Sequence, residues 1–222
     1  HIHCPGYFGR VELARPVFYL HYLVNIIKIL RCCCFKCSKL LISKEKYAHL
    51  QLLPPSERWN AIFAAASKVH RCGDHTDDGC GFNQPRKIRK EGLATVTAQW
   101  DEKNEDGEPL TANITPELCL RILSRISDGD VNFMGFSPVW SRPEWMICQV
   151  LGVPPPAVRP SVRHDAQQRS EDDLTHILVN ILKTNKTLQD KIDSGAQGHI
   201  INDWTTLLQY YIATLVDNKM SG

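Results

Sequence analysis

The sequence has no apolar stretch long enough to cross a membrane. Its most hydrophobic run, VFYLHYLVNIIKIL from Val17 to Leu30, is shorter than the roughly 20 residues that a bilayer requires. His21, Asn25 and Lys28 interrupt this run. No signal-peptide pattern opens the chain, and its nine cysteines are an odd number, which argues against a secreted disulfide framework. The run therefore predicts a partly buried helix, and we expect no membrane partner.

The sequence also lacks the motifs of common catalytic folds. It contains no glycine-rich phosphate loop and no nucleophile-elbow pattern. Two stretches resemble metal-binding loops but are more simply interpreted as turns. Asp128-Gly129-Asp130 lies where a predicted helix ends, and the segment from Glu102 to Asn113 departs from a calcium loop at its first and last positions and contains Pro109. We therefore expect no catalytic residue in this chain.

The net charge of the chain is small, at +2. Such a charge does not by itself indicate nucleic-acid binding, since a phosphate-binding surface requires clustered charge. One cluster occurs in QPRKIRKEGL, where Arg86, Lys87, Arg89 and Lys90 follow Cys80. On a loop fixed by a metal these side chains could contact a phosphate backbone, whereas a solvated basic turn is the simpler interpretation. The residues alone leave both open.

The chain does contain enough apolar sequence for a core, with 43% hydrophobic residues in 222. It begins with His1 rather than Met, so we expect it to be a piece of a longer protein. Its patterns predict a mainly helical α+β fold. The predicted elements are a helix with Leu20, Val24, Ile27 and Leu30 on its buried face, a helix starting at Pro54-Pro55-Ser56-Glu57, a strand from Leu93 to Trp100, an exposed DEKNEDGEP loop, and a helix starting at Thr115-Pro116-Glu117.

The last sixty or so residues have the most regular pattern and predict two paired helices. Ser170 and Asp173 resemble a capping box at the start of the first helix. Gly195 and Gly198 suit a reversal between the helices. The two predicted apolar stripes consist of Leu174, Ile177, Leu178, Ile181 and Leu182, followed by Ile201, Trp204, Leu208, Tyr211 and Leu215. This pattern predicts an antiparallel helical hairpin.

Four cysteines crowd into RCCCFKCSKLL, directly after the apolar run. Cys34 and Cys37 have the two-residue spacing that lets two thiolates reach one zinc ion. Cys72 and Cys80, in a loop rich in Gly and Asp, would complete a tetrahedron, and His70 or His75 are alternative ligands. The spacing alone does not decide between a zinc site and free thiols.

Their two neighbours, Cys32 and Cys33, have a simpler interpretation as small buried apolar residues. Attachment of a lipid beside the apolar helix is a less favoured alternative.

Several stretches, in order along the chain, together resemble one family. They are CPGYFGRVELARPVF, CFKCSKLL, GCGFNQPRKIRKEGL, SRPEWMI, VPPPAVRPSV, RSEDDLTHILVNILKTNKTL and NDWTTLLQYYIAT. The chain is similar to the N-terminal region of the largest subunit of multisubunit DNA-directed RNA polymerases, in the polymerase II, archaeal or large-DNA-virus branch. Two segments, TNKTLQDKI and INDWTTLLQYY, favour a viral polymerase subunit over a cellular one.

This resemblance implies a zinc ion bound by the residues that match the family's ligands, Cys34, Cys37, Cys72 and Cys80. A second zinc site of the family uses two cysteines upstream of His1, a cysteine at the position of Cys4 and a histidine where this chain has Tyr7. Because tyrosine is a poor zinc ligand, Cys4 is interpreted as a remnant of that site, unless His1 or His3 serves it.

The resemblance further implies the clamp, a mobile module that closes over DNA and the RNA–DNA hybrid. Residues 1–152 would form its zinc-binding core and head, and residues 153–222 a proline-rich connector and a coiled-coil hairpin. Other polymerase subunits, including the second largest, would be partners. Initiation and elongation factors would dock at the hairpin tip, where we single out Lys186, Asp190, Lys191 and Asp193.

The reaction implied by the resemblance is nucleotidyl transfer by the complete polymerase. Its Mg²⁺ is held by the family's NADFDGD motif, which does not occur in this chain. The location would be the nucleus for a cellular eukaryotic protein, and the virion or host cytoplasm for a viral one. A free-standing zinc-stabilised interaction module is the alternative function that the residues leave open.

Overall fold

The computed structural model describes residues 9–153 and 167–220. The helices and strands are β1 (Gly9–Phe18), α1 (Leu23–Leu30), α2 (Pro55–Ala66), β2 (Lys87–Glu91), β3 (Thr95–Lys103), β4 (Pro109–Ile114), α3 (Pro116–Ser124), α4 (Asp128–Phe133), β5 (Ile147–Val153), α5 (Gln167–Asp193) and α6 (Gly198–Met220). The expected α+β class is therefore confirmed as a mixed fold of helix and sheet. None of the described helices combines the length and the hydropathy that a membrane span needs.

The chain divides into two compact units. One comprises residues 1–20 and 148–222, and the other comprises residues 21–147. The proline-rich connector, VPPPAVRPSV, falls almost wholly outside the described residues, as do Cys4 and Tyr7.

The first unit is built on helices α5 and α6, which pack against each other, and on the pair of strands β1 and β5. Helix α5 ends in a turn at Gly195, whose φ of 71° is readily adopted only by glycine. The backbone N–H of Ala196 donates to Lys191 and that of Gly195 donates to Ile192, which satisfies carbonyls at the helix end. This turn reverses the chain within four residues, as the glycines predict.

The core of this unit confirms most of the two apolar stripes. Its buried members are Val17, Cys148, Leu151, Ile177, Leu178, Ile181, Leu188, Leu208, Ile212 and Leu215. Two details of the prediction were wrong. Leu182 is exposed instead of buried, and α5 begins at Gln167, so Ser170 lies inside the helix. The glutamines and arginine before Ser170 are good helix formers and extend the helix past the capping motif.

Side-chain amides from the two helices hold strand β1. Asn185 accepts a hydrogen bond from the backbone N–H of Ala14 at 2.8 Å and donates to the carbonyl of Glu12 at 2.9 Å. Gln209 accepts from the backbone N–H of Phe18 at 2.7 Å and donates to its carbonyl at 3.1 Å. These amides pair with both N–H and C=O groups of the β1 backbone and so satisfy four of its polar groups.

The second unit contains an antiparallel sheet in the order β2, β3, β4. The strand predicted from Leu93 to Trp100 is confirmed in type, but it extends to Lys103 and so includes the start of the predicted DEKNEDGEP loop. The remaining loop is a tight turn in which Asn104 Oδ1 accepts from the backbone N–H groups of Asp106 and Glu108. This local hydrogen bonding agrees with a turn and not with a calcium loop.

The buried face of helix α1 differs from the face that its sequence pattern predicts. Strand β1 continues to Phe18 and a 3₁₀ segment follows, so the helix begins only at Leu23. The side chains of Leu23 and Ile26 are buried, whereas Val24, which was predicted to face the core, is 60% exposed. A run this apolar on several sides does not fix the helix phase by periodicity alone.

Helices α3 and α4 begin with side-chain caps. Thr115 Oγ1 accepts from the backbone N–H of Leu118 at 3.1 Å, which confirms the predicted helix start. Asp128-Gly129-Asp130 was expected to end a helix, but it begins α4, because Ser127 Oγ caps Asp130 N at 3.2 Å. The Asp130 carboxylate is buried and bonded to the protein rather than placed for a metal, as described below.

Candidate metal centre

Four cysteine sulfurs from two separate loops converge in the second unit. Cys34 and Cys37 lie on the first cysteine loop (residues 32–40), and Cys72 and Cys80 lie on the second (residues 71–83). All four Sγ atoms lie within 4.8 Å of one another. The Sγ atoms of Cys34 and Cys80 are 3.5 Å apart, and those of Cys37 and Cys72 are 3.7 Å apart. A tetrahedral zinc ion with bonds of about 2.3 Å needs sulfurs about 3.8 Å apart, so the four residues fit zinc.

The first cysteine loop folds back on itself through its backbone. The N–H of Cys34 donates to the carbonyl of Lys39, and the N–H of Ser38 donates to the carbonyl of Cys34, each at 2.9 Å. The backbone N–H groups of Lys36 and Cys37 point toward Cys34 Sγ, at 3.3 and 3.5 Å. The loop thus supplies two ligands together with donors for one of them.

The two ends of the second cysteine loop lie close together. The N–H of Cys72 donates to the carbonyl of Phe82 at 3.0 Å, and the N–H of Cys80 lies 3.4 Å from Cys72 Sγ. Between the two cysteines the backbones of Gly73 and Gly79 touch: a Cβ on Gly79 would lie 2.1 Å from the Gly73 Cα. Position 79 must therefore lack a Cβ, and Gly73 has a φ of 108° that favours glycine. The contact brings Cys72 and Cys80 together.

The thiols differ in their electrostatic environment when no metal is considered. Burial raises the pKa of Cys72 to about 12 and also raises the pKa of Cys37. For Cys80 burial acts in the same direction, but hydrogen bonds from the Phe82 backbone and from the neighbouring thiols outweigh it and lower its pKa to about 7. Binding of a divalent cation to all four would therefore have to displace protons.

A buried carboxylate anchors the first cysteine loop. Asp130 accepts a hydrogen bond from the backbone N–H of Leu40 at 3.2 Å and pairs with Lys44 Nζ at 2.9 Å. The start of helix α4 thereby fixes the residues that follow Cys37. Sequence reasoning interpreted Asp130 as part of a turn rather than as a metal ligand, and it missed this anchoring role.

Cys32 and Cys33 contribute no ligand and are fully buried. Burial raises the pKa of Cys32 to about 12 and raises that of Cys33 as well. Both are inert core residues, as their simpler interpretation predicts, and neither is accessible to a lipid. Among the described residues, the cysteine cluster includes neither His70 nor His75.

Most of the basic stretch, from Lys87 onward, lies in strand β2, where the simpler interpretation was a solvated turn. Arg86, Lys87, Arg89 and Lys90 are all exposed, and β2 pairs with β3 so that Arg89 lies opposite Thr97. Because side chains alternate along a strand, Lys87 and Arg89 share a face. The guanidinium of Arg86 is bonded to both carboxylate oxygens of Asp101 at 3.1 Å.

The four charged residues singled out near the hairpin tip lie in the last two turns of α5. Lys186, Asp190 and Asp193 are exposed and Lys191 is half-buried. Asp193 accepts a hydrogen bond from Gln189 at 2.9 Å. The tip therefore presents charges of both signs on a regular helix.

Sequence reasoning missed Gln84, whose side chain contacts both cysteine loops and is bonded to a ligand sulfur. Neither spacing nor periodicity marks this residue. Its position within GCGFNQPRKIRKEGL, four residues after a zinc-ligand candidate, is the only signal that the sequence contains.

Comparison with known proteins identifies the family to which the chain belongs. The family model described as RNA polymerase Rpb1, domain 1 matches residues 1–222. The chain is 40% identical, over 230 residues, to the DNA-directed RNA polymerase II subunit RPB1 of Euplotoides octocarinatus. The alignment covers 99% of this chain and 47% of the relative, so the chain spans about half the length of the relative that it matches. Because the family model matches from end to end, the chain belongs to the family RNA polymerase Rpb1, domain 1.

Proposed function

We propose that this chain is the N-terminal clamp segment of the largest subunit of a nuclear DNA-directed RNA polymerase of the polymerase II type. Two findings support this: the family covers the whole chain, and the 40% identical relative is a eukaryotic polymerase II subunit. The complete enzyme transfers nucleotidyl groups with Mg²⁺ bound by residues elsewhere in the subunit. This segment contributes to holding the nucleic acid and to docking partners.

Within that role, Cys34, Cys37, Cys72 and Cys80 would hold a structural zinc ion. The convergence of four sulfurs within 4.8 Å is the observation that carries this assignment. Four thiolates fill the tetrahedral coordination of zinc and leave no position for a substrate or an activated water, which is the pattern of structural sites. When bound, the ion supplies a rigid cross-link between the two cysteine loops.

The exposed strand β2 is the segment that we propose to meet nucleic acid. Lys87 and Arg89 share a face, and Lys90 adds a further exposed cation. Arg86 contributes less, because its charge is already paired with Asp101. Cations without such partners are the ones that can replace counterions on the phosphates of DNA or of an RNA–DNA hybrid.

For the second part of the chain we propose the clamp coiled-coil hairpin with its connector, from residue 153 to residue 222, joined to the zinc-binding core and head of residues 1–152. The packing of α5 on α6 and their buried apolar stripe support a coiled coil. The tip, with Lys186, Asp190, Lys191 and Asp193, is proposed to dock initiation and elongation factors through charge complementarity. The second-largest subunit is a further expected partner.

Purification of the tagged full-length protein from its source cell tests this function. We expect it to be isolated with the second-largest polymerase subunit and to synthesise RNA on a DNA template, whereas the 222-residue chain alone should extend no primer. Isolation of the protein without other polymerase subunits would favour a free-standing interaction module. Primer extension by the isolated chain would contradict the assignment of catalysis to other parts of the enzyme.

A further inference from the structure

The side chain of Gln84 lies between the two cysteine loops, and the residue is only 8% exposed. Its Oε1 accepts a hydrogen bond from the backbone N–H of Phe35 at 3.0 Å. Its Nε2 donates to the backbone carbonyl of Phe82 at 2.9 Å and to Cys34 Sγ at 3.2 Å. One amide group therefore contacts the first loop, the second loop and a ligand sulfur.

The neighbours of Gln84 fix which end of its amide faces the sulfur. The backbone nitrogen of Phe35 can only donate, so it requires the amide oxygen. The carbonyl of Phe82 can only accept, so it requires the amide nitrogen. A flipped amide would lose both bonds, and the orientation that keeps them leaves the second hydrogen of Nε2 for Cys34 Sγ.

Cys34 needs such a donor as a thiolate, since the residue is 0% exposed. Water cannot solvate a thiolate at this position, and a buried charge without hydrogen bonds is costly. The backbone N–H groups of Lys36 and Cys37 approach the same sulfur only at 3.3 and 3.5 Å. The Gln84 amide is the nearest of these three donors, and hydrogen bonds to ionised acceptors are about twice as strong as neutral ones.

We propose that Gln84 is a positioning residue of the metal centre, which stabilises the Cys34 thiolate by a side-chain N–H···S hydrogen bond and holds the two cysteine loops in register. This inference rests on the proposed zinc site. The amide acts through Cys34 and does not touch the metal. Its loss should therefore change both the affinity for the metal and the electronic character of one metal–sulfur bond.

Two variants of the full chain separate these effects when Co²⁺ replaces zinc as a spectroscopic probe. Gln84→Glu keeps an oxygen that can accept from the N–H of Phe35, but it replaces the amide donor to Cys34 with a second oxygen. Gln84→Met removes both the acceptor for Phe35 and the donor to Cys34. We expect Co²⁺ binding to weaken about 10-fold to 100-fold, as is typical when an outer partner of a metal ligand is lost. The sulfur-to-cobalt charge-transfer band should move to longer wavelength, because an unbonded thiolate gives up its electron more easily.

The control is Gln51→Glu, the same substitution at an exposed glutamine in the same unit. It should leave both the affinity and the band of the wild-type protein unchanged. A purely structural role for Gln84 would lower the affinity without moving the band. The inference is overturned if both Gln84 variants bind Co²⁺ within twofold of wild type or show an unshifted band.

A measurement on the wild-type chain tests the hydrogen bond from Gln84 to Cys34 even if the variants do not fold. With ¹¹³Cd²⁺ in the site, a side-chain N–H···S–Cd hydrogen bond should produce a scalar coupling between cadmium and a Gln84 amide proton. Absence of that coupling, while the backbone amides of Lys36 or Cys37 show one, would overturn the inference and leave the metal centre intact. Failure of wild type to bind Co²⁺ or ¹¹³Cd²⁺ would instead overturn the metal centre, and the role of Gln84 with it.

Discussion

Replacement of Gly79 by alanine should weaken zinc binding, because the Gly79 backbone lies directly against that of Gly73. A Cβ on Gly79 would lie 2.1 Å from the Gly73 Cα and 2.2 Å from its nitrogen. Both contacts are with backbone atoms, so no side-chain rotation can relieve them. The loop between Cys72 and Cys80 must therefore open, and the two sulfurs that it supplies must move apart.

The size of the effect follows from the displacement that the clash requires. Carbon atoms in ordinary contact lie about 3.5–4.0 Å apart, so the Gly73 and Gly79 backbones must separate by about 1.5 Å. Overpacking of this kind typically costs about 1–3 kcal/mol. If the cost falls on the metal-bound form, which requires the closed loop, the affinity for zinc drops roughly 5-fold to 150-fold.

Competition with a coloured chelator measures this affinity directly, and circular dichroism checks that the variant remains folded. The matched control is Gly198→Ala at the start of α6, where an added Cβ meets no atom within 4 Å. That control should bind zinc as wild type does. If Gly79→Ala also binds zinc within twofold of wild type, the contact between the two glycines is not what closes the loop.

Four further predictions concern the metal content, the pH dependence of metal binding, the first cysteine loop and the hairpin tip. Wild type should contain one zinc ion per chain by elemental analysis, and Cys72→Ser should contain less. The affinity for zinc should fall as the pH falls, because burial raises the pKa of Cys72 to about 12 and zinc must displace its proton. The fall should be steeper below about pH 7, where Cys80 also becomes protonated. Ser38→Gly should raise the free energy of unfolding by about 1 kcal/mol in denaturant titrations, since Ser38 has a φ of 62° and a buried hydroxyl without a hydrogen-bond partner among the described residues; a loss of stability would refute this. Lys186→Glu with Lys191→Glu, assembled into polymerase, should weaken binding of initiation and elongation factors while changing stability by less than about 1 kcal/mol; unaltered binding would remove the docking role of the tip.

Local signals in the sequence were sufficient where the chemistry itself is local. The cap at Thr115 depends on its own turn, and the Gly195 reversal depends on a single backbone angle, so both were predictable. The pairing of Cys34 and Cys37 likewise follows from their spacing. Assignment of Cys72 and Cys80 to the same site needed the family resemblance, because residue spacing does not determine which distant loops meet.

The errors arose where tertiary contacts decide the outcome. Periodicity placed Val24 on the buried face of α1, but the start of the helix depends on how far strand β1 runs. The basic residues from Arg86 to Lys90 carry no strong strand signal, and their pairing with β3 imposes the strand. Gln84 and Asp130 look like ordinary polar residues until the fold surrounds them with backbone donors and acceptors. Such roles belong to the tertiary structure and have no local pattern.

The surroundings of the proposed zinc site indicate which parts of the unit a bound metal would stabilise. A cross-link that closes a loop of about 45 residues, from Cys34 to Cys80, contributes about 4 kcal/mol by the chain-entropy estimate. Burial of a single leucine contributes about 1.5–3 kcal/mol, and the first cysteine loop is flanked by buried Leu30 and Leu41. The binding free energy of a structural zinc ion, about 10–16 kcal/mol at pH 7, is additional to this entropy, so a bound ion would stabilise the unit by more than any single core side chain. The parts that would depend on it most are the loops themselves, and above all the second, where the backbones of Gly73 and Gly79 are in direct contact.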